Sequence, residues 1–342
     1  MPRETKKNKI TNTTLLAQIN PENTRLLDDY LNYLRSIQRS EATIGVYRND
    51  LEIAFVWALK NNKNKFFVDW TKRDIVSFQN WLINVNGNSP ARIRRIKATL
   101  SSLSNYIEAV MDDEYPNFRN IIHKIESPAN QPVREKTVLS DKQINDLLAY
   151  LVERKKYEKA CLVALAVCSG RRKAELTRFK VEYFDDKNLI CDGALYKTNE
   201  KVKTKGRGIN GKQIYCYTLA KRFKPYFDMW MSYREENNIE SEWLFPLKQD
   251  PSKHISPNTL NSWANSFGKI LGVDFYMHSL RHNWTTSLIR AGLPETVIKE
   301  LAQWSNLEMV SVYNDCEAEE QFSNYFKNGE IDTANKKGLQ GI

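Results

Sequence analysis

The sequence has no long hydrophobic run: the longest, Cys161 to Cys168, is eight residues. A membrane-spanning helix needs about 20, so no span is expected and no membrane partner. Residues Met1 to Lys9 are polar and basic, with no apolar segment behind them. That is not the pattern of a secretory leader, and the expected location is cytoplasmic, with the nucleoid. Cysteine is scarce, with five residues (Cys161, Cys168, Cys191, Cys216 and Cys316) and no C-x-x-C pair. The spacing argues against zinc and, more strongly, against a disulfide framework. Cys161 and Cys168 fall inside the apolar run and read as small core residues. No internal repeat or low-complexity stretch is present.

What the chain does have is positive charge. Its 51 Lys and Arg outnumber 41 Asp and Glu, for a formal net charge of +10. Such an excess suits a polyanionic partner, because lysine and arginine displace the counterions of nucleic acid. At 342 residues, 41% hydrophobic and with eight tryptophans, the chain can build two domains with cores of their own.

Residues 1–18 read as a disordered basic tail carrying Arg3, Lys6, Lys7 and Lys9. Residues 19–126 read as a helical domain. Leu26, Leu27, Tyr30, Leu31 and Leu34 recur at helix spacing, as do Ile44, Tyr47, Leu51, Phe55 and Leu59. Ser89 and Pro90 look like an N-cap and first-turn proline. The helix after them carries Ile93, Ile96, Leu100, Leu103 and Ile107 on one face. Arg92, Arg94, Arg95 and Lys97 crowd its first turns and are candidate DNA-phosphate contacts; the plainer alternative is a solvated basic face. Residues 127–136, S-P-A-N-Q-P-V-R-E-K, read as an interdomain linker. A second domain, 137–330, opens with capping-box spacing at Ser140 and Gln143. Leu189 to Leu219 reads as β, with a hairpin expected at Asn210-Gly211 ahead of Gln213–Tyr217. Helices are expected again from about 220 to 329, and residues 331–342 form a tail.

Chemistry concentrates in a few segments. His278 and Arg281, in H-S-L-R-H, stand three apart and share a helix face. Arginine offers a planar fork that matches two phosphate oxygens. Histidine exchanges a proton near neutral pH. Arg172 and Glu175 repeat the three-residue step, and the carboxylate can hold the guanidinium; Arg171 is the neighbour easily mistaken for the functional arginine. Trp304 brings an indole N–H that needs a partner when buried. Tyr313, one of 16 tyrosines, brings a phenol oxygen. Each element alone is common in proteins. Together they can grip a phosphodiester and attack its phosphorus.

Order and spacing turn these pieces into a resemblance. Gly170-Arg171-Arg172-Lys173-Ala174-Glu175-Leu176, His278-Ser279-Leu280-Arg281, and Trp304 nine residues before Tyr313 resemble the elements of the tyrosine recombinases, the phage-integrase family. The resemblance covers roughly residues 138–320. A weaker one, including Ser40 to Arg48, is to the family's helical core-binding domain. Tryptophan stands at position 304 where many members carry histidine; both supply an N–H. Ala302-Gln303 replaces a common leucine-glycine pair.

The resemblance implies a mainly α fold with a small antiparallel β-sheet in the second domain, the two domains forming a clamp around DNA. It implies a site made of Arg172, Lys205, His278, Arg281, Trp304 and Tyr313, with Glu175 supporting Arg172. Lys205 is taken as the hairpin lysine because Thr204-Lys205-Gly206 fits best, with Lys203 second. The implied activity is strand exchange through a 3′-phosphotyrosyl link, for a mobile element, with no metal or cofactor. Chromosome- or plasmid-dimer resolution, a type IB topoisomerase and a non-catalytic DNA-binding protein are the alternatives. Implied partners are double-stranded DNA with inverted-repeat core sites, three further copies forming a tetramer on two sites, and accessory DNA-bending proteins. Phe322, Tyr325 and Phe326, at helical spacing, would dock on the next protomer.

Overall fold

The computed structural model describes residues 10–129, 137–204 and 211–316, and the backbone of 326–327 and 330–331. These fall into two compact units, one before and one after residues 130–136. Both are mainly helical, and the short antiparallel strands lie in the second. Among the described residues no helix is long and apolar enough to cross a membrane.

The first unit contains α1 (Thr13–Leu16), α2 (Pro21–Ser36), α3 (Glu41–Asn61), α4 (Lys72–Asn84) and α5 (Pro90–Val110). The expected stripe on α5 is realised: Ile93, Ile96, Leu100, Leu103 and Ile107 are all buried, behind an N-cap at Ser89. On α3 the stripe was drawn too narrow. Ile53 through Ala58 are buried without interruption, so this helix is central to the unit. The expected tail is also shorter than 18 residues. Asn12 caps α1, and Leu15, Leu16 and Ile19 pack on the core. Asn64 secures this start by donating to the Gln18 carbonyl and accepting from the Asn20 amide. Residues 1–9 lie outside the described residues.

The second unit begins with α6 (Asp141–Glu153), whose Ser140–Gln143 capping box forms as expected. It is followed by α7 (Tyr157–Ser169) and α8 (Lys173–Leu176). The apolar run is α7 itself, buried on every side from Ala160 to Ser169. A helix apolar all round belongs in a protein interior, and α7 packs against α6 and two later helices. Gly170 ends it with φ +60°. A Cβ there would lie 2.3 Å from the ring of Trp284. Gly170→Ala combines that clash with a left-handed backbone, and its expected cost is about 2–4 kcal/mol in urea unfolding.

Strands β1 (Leu189–Ile190), β2 (Leu195–Lys197), β3 (Val202–Lys203), β4 (Gln213–Ile214) and β5 (Tyr217–Leu219) fill the expected β region. The hairpin forms between the two expected segments. Val202 faces Ile214 and Lys203 faces Gln213; residues 205–210 between the strands lie outside the described residues. The stretch Gln213–Tyr217 is not one strand. Its first part pairs with β3, and Tyr217 turns to Lys197 of β2. After α9 (Ala220–Glu236) comes an unanticipated hairpin, β6 (Pro246–Leu247) with β7 (Asp250–His254). Then follow α10 (Pro257–Leu271), α11 (Met277–Arg290), α12 (Glu295–Ala302) and α13 (Glu308–Tyr313). Helices α9 and α11 are the later helices that pack on α7, and β5 also contacts it. The expected C-terminal helix is corrected at Phe326, which lies in β8 (Phe326–Lys327), paired with β9 (Glu330–Ile331). Phe326 faces Ile331 across the pair, and Asn-Gly, the sequence between these strands, favours a hairpin over a helix. Phe322 and Tyr325 lie outside the described residues.

Candidate active site

The end of α7 sorts the two neighbouring arginines. Arg171 turns inward. Its Nε donates to the Ser169 carbonyl at 3.1 Å and its Nη2 to the Leu301 carbonyl at 2.6 Å. It is thus a tie between α7 and α12. Arg172 caps α8 from its other side and remains 37% exposed. Its amide donates to Glu175 Oε2 at 3.0 Å, and its Nη1 to Oε1 at 3.2 Å. The three-residue step therefore does hold Arg172 by Glu175.

Glu175 is 1% exposed. Burial alone would raise its pKa, but the Arg171 charge, the Thr204 hydroxyl and the Arg172 amide outweigh it and hold it below the ordinary 4.5. A carboxylate lowered in the fold stabilises the native state above its unfolded pKa, and that contribution fades as pH falls through the folded value. Glu175→Gln should therefore lose less stability than wild type between about pH 5 and 3 in urea titrations. The hydroxyl of Thr204 donates to Glu175, and Arg178 Nη1 donates to the Lys203 carbonyl at 2.6 Å. The end of β3 is thereby tied to the arginine turn. Lys203 itself is exposed on β3; Lys205 lies outside the described residues.

Helix α11 brings the next two groups. His278 is exposed in its first turn, while Arg281 is 1% exposed. Arg281 Nη1 donates to the Gly170 carbonyl at 2.6 Å, two residues before Arg172 in sequence. Its Nε and Nη2 have no hydrogen-bond partner among the described residues. Burial first, then the charges of Arg171 and Arg172, lower its pKa to about 10. It stays cationic at neutral pH, in a setting that would favour an arriving anion.

Helices α12 and α13 complete the cluster. Trp304, 6% exposed, stacks on Tyr313 with centroids 5.0 Å apart and planes 10° apart. Its Nε1 also has no partner among the described residues. The guanidinium of Arg281 sits 4.9 Å from the Trp304 ring and 5.1 Å from that of Tyr313. The Tyr313 hydroxyl lies 2.9 Å from His278 Nε2. Five residues drawn from separate stretches thus form two groups. Arg281, Trp304 and His278 each contact Tyr313, and Arg172 stands apart on Glu175, two residues past the Gly170 carbonyl that Arg281 holds.

Sequence reasoning missed the supports. His282 lies one helical turn beyond His278, with its ring 4.7 Å from that of Tyr313. The i,i+4 spacing of the two histidines in H-S-L-R-H was the available signal. Thr204 and Thr286 had none, since threonine contacts across elements leave no local pattern.

The basic turns of α5 are less open than expected. Arg92 Nη1 lies 2.5 Å and Arg95 Nη2 3.4 Å from Asp50, a fully buried carboxylate of α3. Lys97 is 5% exposed, and its ammonium donates to the carbonyls of Ile125 at 2.7 Å and Glu126 at 3.1 Å. Arg94 donates to the Pro128 carbonyl at 2.9 Å. The start of the expected linker is thus bonded to α5, and of the four cations Lys97 is committed inward to carbonyls and Arg92 is paired with the buried Asp50.

Residues 137–320, more than half of the chain, match the phage integrase family. A recombinase-like protein derived from the SPbeta prophage of Bacillus subtilis is 27% identical over 285 residues, 81% of each chain. Tyrosine recombinase XerC of Pseudomonas fluorescens is 22% identical over 297 residues, 84% of this chain and 90% of that one. Among solved structures, XerH recombinase bound to a palindromic difH substrate superposes with a TM-score of 0.63. That alignment has 16% identity over 94% of this chain and 97% of the other. The Tn1549 transposon integrase in complex with circular intermediate DNA also gives 0.63, at 14% identity over 88% and 99%. With a helical first unit, an arginine turn and a tyrosine held against histidine, tryptophan and arginine, the chain belongs to the phage integrase family, the tyrosine-type site-specific recombinases.

Proposed function

We propose that this protein exchanges DNA strands at specific sites, through a covalent 3′-phosphotyrosyl intermediate on Tyr313, in the service of a mobile element. One observation carries the reading. The Tyr313 hydroxyl stands against His278, beside the buried Nε and Nη2 of Arg281 and the buried indole N–H of Trp304, which are unspent among the described residues. Donors of this kind suit the non-bridging oxygens of a phosphate.

Arg172 and Arg281 clamp the scissile phosphate and offset the charge that grows on it. Trp304 Nε1 donates to the same group. His278 takes the phenol proton as the tyrosine oxygen bonds to phosphorus. The bond from phosphorus to the 5′ oxygen breaks, and a hairpin lysine, Lys205 or else Lys203, gives that oxygen its proton. The phosphotyrosine keeps the bond energy, so a new 5′ hydroxyl can religate by the reverse steps. The two guanidiniums supply the positive charge a metal would otherwise bring. Arg92, Arg94 and Arg95 meet backbone phosphates; Lys97 acts on them indirectly, by holding the chain that leaves α5. Four protomers on two inverted-repeat sites complete the exchange, with DNA-bending proteins as helpers. The prophage-derived relative supports the mobile-element role.

The test uses nicked duplexes cut from DNA flanking the gene, which trap a cleaved strand. A protein–DNA band on a denaturing gel, whose tryptic peptide carries the nucleotide on Tyr313, is the expected result. A bound duplex that yields no band at any flanking segment would overturn the reading.

A further inference from the structure

The nucleophile sits at the end of a short helix. Helix α13 has six residues, of which Val310 and Tyr313 are buried. A helix of that length has little stability of its own. Past Tyr313 the backbone turns extended at Asn314, with φ −78° and ψ 117°. Local structure therefore cannot set where the phenol stands.

Helix α11 can. Its residues His278, His282 and Thr286 are four apart and share one face. Each meets a successive part of the Tyr313 segment. His278 takes the hydroxyl. His282 lays its ring against the tyrosine ring at 4.7 Å. Its Nδ1 lies 3.3 Å from Asp315 Oδ2, with both side chains under a tenth exposed. Thr286, 1% exposed, donates its hydroxyl to the Tyr313 carbonyl at 3.4 Å and accepts the Asp315 amide at 3.1 Å. The Cys316 thiol lies 3.9 Å from the Thr286 carbonyl. A carboxylate is costly to bury without a partner, so its seat on His282 is specific. In this stripe His278 is the residue that bonds the Tyr313 hydroxyl.

We infer that His282, Thr286 and Asp315 are positioning residues: they form a latch that pins the backbone after Tyr313 to α11 and thereby sets the phenol oxygen for attack. The inference rests on the reading of Tyr313 as the nucleophile. It goes beyond that reading by assigning the placement of the nucleophile to residues that never meet DNA.

The test compares Thr286→Val, which keeps the shape and loses both hydrogen bonds, with Thr286→Ser, which keeps the hydroxyl. His282→Ala and Asp315→Asn probe the pair. The first readout needs no DNA. Amide hydrogen exchange of the peptide spanning 311–316 should quicken by about tenfold or more in Thr286→Val and stay near wild type in Thr286→Ser. Unchanged exchange in Thr286→Val would overturn the latch. The second readout is single-turnover cleavage of a nicked duplex at saturating protein. Thr286→Val, His282→Ala and Asp315→Asn should cleave about tenfold or more slowly, with DNA affinity within about twofold of wild type. Thr286→Ser should recover most of the rate. The slow rate should persist on DNA with a 5′-bridging sulfur, whose thiolate leaves without a proton. Recovery on that substrate would place the defect at the leaving group and sink the inference. If wild-type protein binds its DNA and forms no adduct, the nucleophile reading fails, and the exchange data still judge the latch.

Discussion

Tyr313→Phe is expected to bind DNA as wild type does and to form no covalent adduct. The phenylalanine ring keeps the stack on Trp304 at 5.0 Å and the contact with the Arg281 guanidinium at 5.1 Å. It loses only the hydroxyl, which bonds to His278 on an exposed position of α11. One such bond is worth about 1 kcal/mol net, so folding and the phosphate-binding groups should survive. The chemistry cannot, because the oxygen that bonds to phosphorus is gone. A nicked duplex run beside wild type on a denaturing gel gives the answer. An adduct in the variant would mean that another of the 16 tyrosines, or a different nucleophile, cuts the strand.

Arg281→Met is expected to slow cleavage by about 10²–10³-fold, the usual cost of removing one preorganised donor to a growing oxyanion. The same change should leave the DNA-free protein within about 1 kcal/mol of wild-type stability. Two effects oppose each other there. The variant loses the bond to the Gly170 carbonyl at 2.6 Å. It also removes a cation that burial and two neighbouring arginines disfavour, lowering its pKa to about 10. A cation whose pKa is lowered in the fold subtracts stability at every pH below that value, and neutral pH lies well below it. The residue is therefore kept for what it binds. Single-turnover rates and urea unfolding measure the two halves. A large loss of stability with an unchanged cleavage rate would make Arg281 a structural tie, like Arg171.

The two arginines show how far reading by spacing reaches. Gly170-Arg171-Arg172 singled out Arg172, and the structure turns Arg171 into the interior, bonded to Leu301 of α12. Nothing local to the motif determines that. It follows from packing: Gly170 ends α7 against Trp284, and the Arg171 side chain finds the Leu301 carbonyl across the core. On α5 the reverse held. Four basic residues in two turns read as one surface, yet Lys97 is spent on carbonyls of Ile125 and Glu126, some thirty positions away. The β-hairpin between residues 201–205 and 213–217 is legible in the sequence, and its pairing is not. Asn-Gly signals a turn, whereas the pairing of Val202 with Ile214 depends on which side chains the neighbouring core accepts.

The sequence by itself determined the helical class, the buried faces of α2 and α5, the all-round burial of α7 and the candidacy of His278, Arg281, Trp304 and Tyr313. Those features rest on local periodicity and on motif order, both written along the chain. Only the tertiary structure decided how the nucleophile is held. The stripe His278, His282 and Thr286 and the Asp315 beyond α13 lie about thirty residues apart. Their contacts exist because α11 and α13 share a core around Trp284, Ile298 and Val310. Packing between elements, rather than any pattern within one, brings a phenol, an imidazole and a buried guanidinium to one place.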